Sequence, residues 1–368
     1  MKIALLGFGT VGSHFYKLCE GRSDLQITAV LSRRPRPELT CTVTADFDEI
    51  VRDPSSDIVV EVMGGIEPAY SYLCAAMRAG KHVVTANKQL MCARFDALTA
   101  LSKEMGVALR CTAAAGGGIP WLTSLSRASQ LDEIPAVEGI LNGTTNYMLS
   151  AMTNSGADYA AALQKAQELG YAEADPTADV EGLDARRKLV LSADLAFGVN
   201  IKEEDIPCVG ISSITAADIA RAKEEGLTYK LIARAEKSGN AVAAFVCPTL
   251  FPSSAPEAHT DGTGNLATLY AARFGRQSFS GAGAGGYPTG SSVLRDCLDI
   301  ADGCRSFYSD SFVPRPVHLS GAQSKWLFRC MGETFVRECS AREAFDAYDS
   351  YRKDDPHALL ARYAAEEE

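Results

Sequence analysis

The fold of the first part of the chain is decided by Lys2-Ile3-Ala4-Leu5-Leu6-Gly7-Phe8-Gly9-Thr10-Val11-Gly12. The apolar run Ile3 to Leu6 predicts a buried strand, and the pattern from Val11 to Cys19 predicts a helix directly after it. A G-x-G-x-x-G sequence stands between them, and this motif has meaning only where a strand ends and a helix begins. The context therefore predicts a strand-turn-helix unit that binds a dinucleotide.

Each glycine of the motif has a separate physical role. Gly7 allows the tight turn, Gly9 lets a pyrophosphate approach the backbone, and Gly12 lets the helix pack closely on the strand. The free N–H groups at the start of the helix then face the phosphates. A tight turn without a ligand is the alternative. The predicted cofactor contacts here are Gly7, Phe8, Gly9, Thr10, Val11 and Gly12.

Strands and helices alternate outward from this unit through about residue 130. Further strands are predicted at Ile27–Leu31, Ile58–Met63, His82–Thr85 and Val107–Cys111, with helices at Ala69–Ala79 and near Arg94–Lys103. Such alternation predicts a parallel sheet covered on both faces. After residue 130 longer helices and paired strands follow, among them Val137–Leu141, Asp184–Phe197, Leu231–Glu236 and Ala241–Cys247, and a helix near Val293–Ala301 succeeds the glycine-rich loop Gly281–Gly290. We expect an α/β protein with a Rossmann-type dinucleotide-binding domain and an α+β second domain.

The end of the second strand indicates which cofactor is preferred. A site for NAD places Asp or Glu there to bind the ribose hydroxyls. This chain has Ser32, Arg33 and Arg34 instead, with Arg36 close by. Guanidinium groups suit a 2′-phosphate, so NADP(H) is favoured, and NAD(H) stays open. A solvated basic turn is the alternative.

Carboxylates are crowded ahead of one lysine in the second half of the chain. Glu173, Asp175, Asp179, Glu181 and Asp184 fall within twelve positions, and Lys188 follows Asp184 by four residues. On a helix that spacing places both side chains on one face. Such a cluster could bind an ammonium group and hold a lysine cationic beside a reacting carbonyl. A solvated acidic loop with a surface ion pair is the alternative.

Two further segments follow predicted strands, where parallel sheets bind their ligands. Lys88 comes after Val83-Val84-Thr85-Ala86-Asn87, and its alternative is a surface lysine near a helix start. Asn142-Gly143-Thr144-Thr145-Asn146 offers several small hydrogen-bonding groups, and its alternative is a turn and helix cap.

Composition excludes several classes of function. The chain has 368 residues, 46% of them hydrophobic and 22% charged, with a net charge of -10. This is ordinary globular usage, and the acidic balance gives no reason to expect a nucleic-acid partner. An apolar run of about 18 residues is absent, so we expect no membrane span. The 11 cysteines form no C-x-x-C pair, which argues against a structural zinc and fits a reducing cytoplasm.

Several blocks taken together resemble homoserine dehydrogenase, in the right order over about residues 1 to 303. They are Gly7–Gly12, Val62-Met63-Gly64-Gly65, Gly80–Lys88, Gly117-Gly118-Ile119-Pro120, Ile140–Tyr147, Ala166–Leu189 and Gly281–Thr289. The resemblance implies reversible, NAD(P)H-dependent reduction of L-aspartate 4-semialdehyde to L-homoserine, a small-molecule step toward threonine and methionine. It also implies a homodimer or a dimer of dimers.

The same resemblance implies roles for individual residues. Lys188 would donate the proton to the developing alkoxide, and Lys88 would contact substrate near the nicotinamide. Substrate would be bound by Glu173, Asp184, Asp179, Thr144 and Gly143. Gly64, Gly170 and Gly285 would approach the cofactor along with Lys88.

The resemblance further implies a division into domains. Residues 1–130 would bind the cofactor, completed by about 304–320, and residues 131–303 would bind substrate and dimerise. Many bacterial members carry a regulatory domain of roughly 70 residues or more at their C-terminal end. Residues 321–368 are too few for a full copy of it and would be a short C-terminal tail. Threonine inhibition through such a domain is therefore not expected.

One departure from the family concerns a monovalent cation. Members usually bind it with a Glu side chain and backbone carbonyls, and Thr112 stands at the Glu position here. The carbonyl positions would be Ala115, Gly117 and Ile119. The loss of a carboxylate weakens any sodium or potassium site.

Two other functions are also compatible with the sequence. One is a cofactor-binding sensor that has lost catalysis, against which the presence of both Lys88 and Lys188 argues. The other is the same chemistry on a different amino-acid semialdehyde, which a substrate panel would reveal through kcat/KM.

Overall fold

The computed structural model describes residues 1–308 and 312–364, whose chain divides into two compact units. The first unit is Met1–Leu131 with Ala282–Val313, and the second is Asp132–Gly281 with Pro314–Glu368. The chain thus returns to the first unit at Ala282, earlier than the expected return at 304–320. Residues 282–303, which we expected in the substrate domain, belong to the cofactor unit by their contacts.

The elements follow one another in this order. The first part contains β1 (Lys2–Leu6), α1 (Thr10–Cys19), β2 (Gln26–Leu31), β3 (Thr42–Thr44), α2 (Phe47–Arg52), β4 (Ile58–Glu61), α3 (Ala69–Arg78), β5 (His82–Thr85), α4 (Lys88–Met105), β6 (Leu109–Arg110) and α5 (Trp121–Leu131). The middle contains β7 (Ala136–Ile140), α6 (Gly143–Ser155), α7 (Tyr159–Glu168), α8 (Thr177–Val180), α9 (Leu183–Phe197), β8 (Val199–Asn200), α10 (Ala216–Glu224), β9 (Leu227–Ser238), β10 (Ala241–Pro252), β11 (Gly264–Ala271) and β12 (Gly275–Ala282). The last part contains α11 (Gly286–Ala301), β13 (Val313–Pro314), β14 (Gln323–Cys330), β15 (Glu333–Ser340), α12 (Ala341–Asp354) and β16 (Leu359–Tyr363).

Within residues 1–308, the strands of the first unit form one parallel sheet in the order β3-β2-β1-β4-β5-β6. The central strands are apolar and buried because helices cover such sheets on both faces. Phe15 of α1 and Cys297 of α11 pack into the same core as Ile3 and Val60. This strand order is that of dinucleotide-binding domains, and it gathers the carboxyl ends of β1, β4 and β5 at one edge.

The second unit is built on a mixed sheet in the order β12-β11-β7-β9-β10-β16-β14-β15. β9 and β10 form its longest pair, antiparallel over their whole length. Helices α6, α9 and α10 pack on β9, and α12 adds Phe345 to a core with Phe245 and Trp326. The segment expected as a tail therefore supplies β14, β15, α12 and β16 to this unit instead of standing apart.

Several predicted element boundaries differ from the structure, and three of the differences lie near the glycine-rich turns and α4. The strand expected to reach Met63 ends at Glu61, because the Glu61 carboxylate accepts the N–H groups of Met63 and Gly64 and so turns the chain. The helix expected near Arg94 begins at Lys88 and is kinked at Arg94 (φ −142°), which interrupts the pattern that the sequence shows. The loop expected through Gly290 ends at Gly286, where α11 begins.

Some elements carry too little pattern to be predicted. β3 has three residues and α2 has six, which is too short for hydrophobic periodicity to be recognised.

Across residues 1–308 and 312–364, no helix has both the length and the apolar character needed to cross a membrane.

Candidate active site

The glycine turn after β1 fits a pyrophosphate. Gly7 has a φ of +100°, and a Cβ there would lie 3.0 Å from Cγ of Met63. A Cβ at Gly12 would lie 2.3 Å from the Gly7 carbonyl oxygen, whereas one at Gly9 would meet no atom within 4 Å. Gly9 caps α1 without a side chain, and the first turn of α1 holds no acidic residue. The N–H groups at this helix start are therefore open to an anion.

The loop after β4 lies against this turn and is tied to α4. Glu61 Oε1 accepts the backbone N–H of Met63 at 2.7 Å and that of Gly64 at 3.2 Å. Oε2 accepts the Thr85 hydroxyl at 2.6 Å. Asn87 donates from Nδ2 to the Gly65 carbonyl at 2.6 Å and caps α4, whose first residue is the half-buried Lys88.

The basic turn after β2 is arranged around Arg36. Arg33 and Arg34 are exposed, whereas the Arg36 guanidinium lies 5.1 Å from the centre of the Phe8 ring. Arg36 Nη2 also donates to the Phe8 carbonyl at 3.3 Å. Arg36 thus stands beside the glycine turn, and the side chain at the end of β2 is Ser32 in place of a carboxylate.

In the second unit Lys188 is buried between two oxygen atoms. Its Nζ donates to Asp184 Oδ2 at 2.8 Å and to the Leu141 carbonyl at 2.5 Å. Asp184 and Lys188 are one turn apart on α9, so the predicted helical pair is present. Their side chains are only 11% and 8% exposed, which argues against the alternative of a solvated surface pair.

Asn142 joins this lysine to a second carboxylate. Its Nδ2 donates to Asp184 Oδ2 at 2.9 Å and to Asp179 Oδ1 at 2.6 Å, while its Oδ1 caps α6 by accepting the Thr145 N–H. Burial raises the pKa of Asp179, and Asp184 raises it further, against the opposing effects of Asn142, Thr144 and Lys188. The arrangement gathers Lys188, Asp184, Asp179 and Asn142 into one polar cluster.

Other predicted substrate residues lie at the margin of this cluster. Thr144 donates from its hydroxyl to the Tyr171 carbonyl at 2.6 Å, and a Cβ at Gly143 would lie 2.8 Å from the Thr263 carbonyl oxygen. Glu173 is exposed, and its carbonyl accepts from Gln167 Nε2 at 3.1 Å. Gly170 closes α7 with a φ of +74°.

The candidate cation segment in the first unit is already engaged by protein donors. The Gly117 carbonyl accepts the Ser292 hydroxyl at 2.5 Å, and the Ile119 carbonyl accepts the Trp121 N–H at 2.7 Å. The Thr112 N–H donates to Asp296 at 2.9 Å. Ala115 directly follows the short 3₁₀ turn Thr112–Ala114. Among the described residues no group of three or more His, Cys, Asp or Glu side chains could hold a metal ion. The segment thus lacks the carboxylate that the resemblance places at position 112 and offers carbonyl oxygens in its place.

Gly285, the other predicted cofactor residue of the first unit, is the N-cap of α11 and has a φ of +115°. Gly283, in the same loop, packs so tightly on Gly117 that a Cβ at Gly117 would lie 2.4 Å from its carbonyl carbon. Glycine is therefore needed at Gly117, where a Cβ would meet this backbone, and at Gly285, whose positive φ strains any other residue.

Sequence reasoning named the segment Asn142–Asn146, with a helix cap as its alternative, but gave Asn142 no role of its own. It did not single out Glu61 or the Leu141 carbonyl. A signal was present for Glu61, a carboxylate that ends an apolar strand three residues before Gly64-Gly65, and for Asn142, because Asn is a favoured N-cap residue. A backbone carbonyl leaves no such signal.

Comparison with known proteins decides the family. A sequence profile for homoserine dehydrogenase matches residues 120–298, and one for the homoserine dehydrogenase NAD binding domain matches residues 7–111. The homoserine dehydrogenase of Bacillus subtilis is 39% identical over 319 residues, which are 83% of this chain and 74% of that protein. The chain belongs to the homoserine dehydrogenase family.

Further homoserine dehydrogenases agree in sequence and in structure. That of Corynebacterium glutamicum is 43% identical over 320 residues, 81% of this chain and 71% of its own. The crystal structure of the enzyme from Thiobacillus denitrificans superposes with a TM-score of 0.90 at 27% identity, covering 99% of this chain and 98% of that one. The predicted family and the predicted α/β fold are confirmed.

Family membership also sets the reaction. Homoserine dehydrogenase is an NAD(P)-dependent oxidoreductase that interconverts L-aspartate 4-semialdehyde and L-homoserine, on the route to threonine and methionine. The prediction of an enzyme with a nicotinamide cofactor is therefore confirmed.

Proposed function

We propose that Lys188 is the proton donor of the homoserine dehydrogenase reaction in this chain. The observation that carries the proposal is its position, buried and bonded to both Asp184 and the Leu141 carbonyl. When bound, the reduced nicotinamide supplies the hydride for the carbonyl carbon of the substrate. Negative charge then develops on the carbonyl oxygen, and a cation held in place beforehand stabilises it and can give it a proton.

The neighbours of Lys188 have supporting roles in this proposal. The Asp184 carboxylate lies 2.8 Å from the Lys188 ammonium group and holds it in place. Asn142 fixes Asp184 and Asp179 relative to each other through one amide group. Asp179, Thr144, Gly143 and the exposed Glu173 would bind the amino-acid end of the substrate, and Lys88 would contact its reacting end.

We further propose that the cofactor preferred by the chain is NADP(H). Three arginines follow β2, and Arg36 lies on Phe8 inside the glycine motif. Its side chain is 30% exposed, and its Nη1 lies 3.7 Å from the exposed Glu38 carboxylate. A partly exposed guanidinium beside this turn suits a 2′-phosphate, with Arg33 and Arg34 adding charge from solvent.

An assay of aspartate semialdehyde reduction tests these roles. The wild-type enzyme should oxidise NADPH faster than NADH at limiting cofactor. Lys188→Ala should lower kcat by roughly 10²- to 10⁴-fold, the range for loss of a general acid. Lys165→Ala is the matched control, because Lys165 is 57% exposed on α7 and pairs with the exposed Glu168.

The outcomes are distinct. Wild-type protein that binds NADPH without turnover would favour the sensor alternative over the enzyme. An equal rate in Lys188→Ala would remove Lys188 from the chemistry and leave the family intact. A higher kcat/KM for another semialdehyde would change the substrate assignment.

We propose a homodimer or a dimer of dimers, which light scattering on the purified enzyme would measure. A reducing cytoplasm agrees with the 11 cysteines, all of which are free thiols in the structure.

A further inference from the structure

The Glu61 carboxylate is fully buried at the carboxyl end of β4, and the groups bonded to it are neutral. A buried carboxylate is costly unless hydrogen bonds offset its loss of hydration. Burial raises the pKa of Glu61, while the bonds from Thr85, Met63, Gly64 and Asn87 act in the opposite direction. An acid kept in such a place is expected to have a specific structural task.

The two oxygens of Glu61 bind different parts of the first unit. Oε1 accepts from the backbone of the loop that follows β4, at Met63 and Gly64. Oε2 accepts from the Thr85 hydroxyl, which in turn accepts the Asn87 N–H at 3.0 Å. One side chain thereby connects two neighbouring strand ends.

The loop that Glu61 holds lies beside the glycine turn. A Cβ at Gly7 would come within 3.3 Å of three atoms of Val62 and Met63. The outer side of the loop is open, because Gly64 is exposed and a Cβ there would meet no atom within 4 Å. A Cβ at Gly9 would also meet open space. A ligand lying along the glycine turn would therefore reach the loop.

The second connection leads to Lys88. Asn87 donates to the Gly65 carbonyl at 2.6 Å and accepts the Leu90 N–H at 3.1 Å, so it joins the loop to the start of α4. Lys88 is the next residue. A shift of the loop or of Thr85 would displace this helix start.

We propose that Glu61 is a positioning residue for the nicotinamide cofactor, acting through the Met63–Gly65 backbone and through Thr85 and Asn87. It rests on the cofactor site proposed above. Glu61 touches neither cofactor nor substrate in this proposal. Its carboxylate sets the loop backbone against the glycine turn and orients the helix start that carries Lys88.

The test measures NADPH affinity by fluorescence titration on full-length wild-type, Glu61→Leu, Glu61→Gln and Thr85→Val proteins. Glu61→Leu removes both acceptors, and we expect the Kd for NADPH to rise roughly tenfold or more, since charge-assisted bonds are the stronger class. Glu61→Gln keeps one carbonyl oxygen and should fall between wild type and Glu61→Leu. Thr85→Val should show a smaller rise, because only the Oε2 connection is lost.

Val59→Ala is the matched control. Val59 is fully buried two residues earlier on β4, so its truncation lowers stability without touching the loop. Val59→Ala should lower Tm and leave the Kd for NADPH within twofold of wild type. In steady state, the Glu61 variants should raise KM for NADPH and lower kcat, with KM for aspartate semialdehyde nearly unchanged.

Several results would overturn the proposal. Glu61→Gln and Thr85→Val with wild-type NADPH affinity and a lowered Tm would show a purely structural role. A rise in KM for aspartate semialdehyde alone would place Glu61 in substrate binding. Wild-type protein that binds neither NADPH nor NADH would overturn the proposed cofactor site itself, and this inference with it. Failure of Glu61→Leu to fold leaves the other two variants to decide.

Discussion

The guanidinium of Arg110 and the carboxylate of Asp296 form a 3.0 Å ion pair inside the first unit, with side-chain exposures of 2% and 0%. Asp296 also accepts the Thr112 N–H, so it links the segment after β6 to α11. Asp296→Asn should destabilise the protein by about 1–3 kcal/mol, because the buried Arg110 guanidinium loses one of its two carboxylate partners and keeps Asp299. Urea unfolding at neutral pH measures this change.

The control for this prediction is an exposed pair. Asp48 and Arg52 are 58% and 74% exposed and lie 2.7 Å apart on α2. Asp48→Asn should change stability by less than about 0.5 kcal/mol. Equal effects of the two substitutions would contradict the structural importance of the buried pair.

Acid should weaken the second unit through Glu138. Burial alone raises the pKa of this carboxyl, but Arg234 and Arg362 bind it at 2.7 and 3.1 Å and lower its pKa to about 2. A carboxyl whose folded pKa is depressed adds stability above its unfolded pKa of about 4.3, and that stability is lost as pH falls toward 2. The contribution is about 3 kcal/mol at neutral pH.

Urea unfolding of wild type and Glu138→Gln between pH 7 and pH 2 checks this expectation. The stability difference between them should be constant from pH 7 to about pH 5 and should shrink below the unfolded pKa. A difference that stays constant down to pH 2 would mean that Glu138 is not the titrating group.

Discrimination between cofactors should depend on Arg36. Arg36→Ala removes the guanidinium from beside the glycine turn, and KM for NADPH should rise roughly tenfold or more while KM for NADH changes little. Arg22→Ala is the control, since Arg22 bonds to Asp24 on the surface of the same unit. An equal rise in the KM values for NADPH and NADH would show that Arg36 supports the glycine turn and does not bind the 2′-phosphate.

Activity should not require sodium or potassium. The Gly117 and Ile119 carbonyls already accept protein donors, and Thr112 offers no carboxylate. At matched ionic strength, replacing both ions with a bulky organic cation should leave kcat/KM within about twofold, since screening by salt is then unchanged. A large loss of rate that either ion restores would reveal a cation site in this segment.

The parts of the fold that sequence could predict are those set by near neighbours. The turn after β1 follows from glycines within six positions, and the Asp184–Lys188 pair follows from one helical turn. The role of Asn142 depends on a segment 37 to 42 residues away coming back to it, and local pattern carries no information on such an approach.

Local sequence pattern likewise could not predict that the chain returns to the first unit at Ala282. α11 is amphipathic, which predicts a helix but not its partner. Its packing on α1 follows from complementary apolar faces that only the folded chain brings together. The exposed position of Glu173 has the same origin, because a loop carboxylate shows no periodicity that would indicate where it points.

The place of β16 in its sheet has a consequence for biosynthesis. Among the described strands β16 leaves the ribosome last, yet it pairs with β10 on one side and with β14 on the other. Until Leu359–Tyr363 has emerged, the end of β10 at Thr249 and Leu250 and the facing edge of β14 lack this partner, and exposed strand edges recruit other chains. A transcript truncated before this point would therefore yield an aggregation-prone product instead of a weaker enzyme. Chaperones that shield nascent chains would have their greatest effect on yield during this interval.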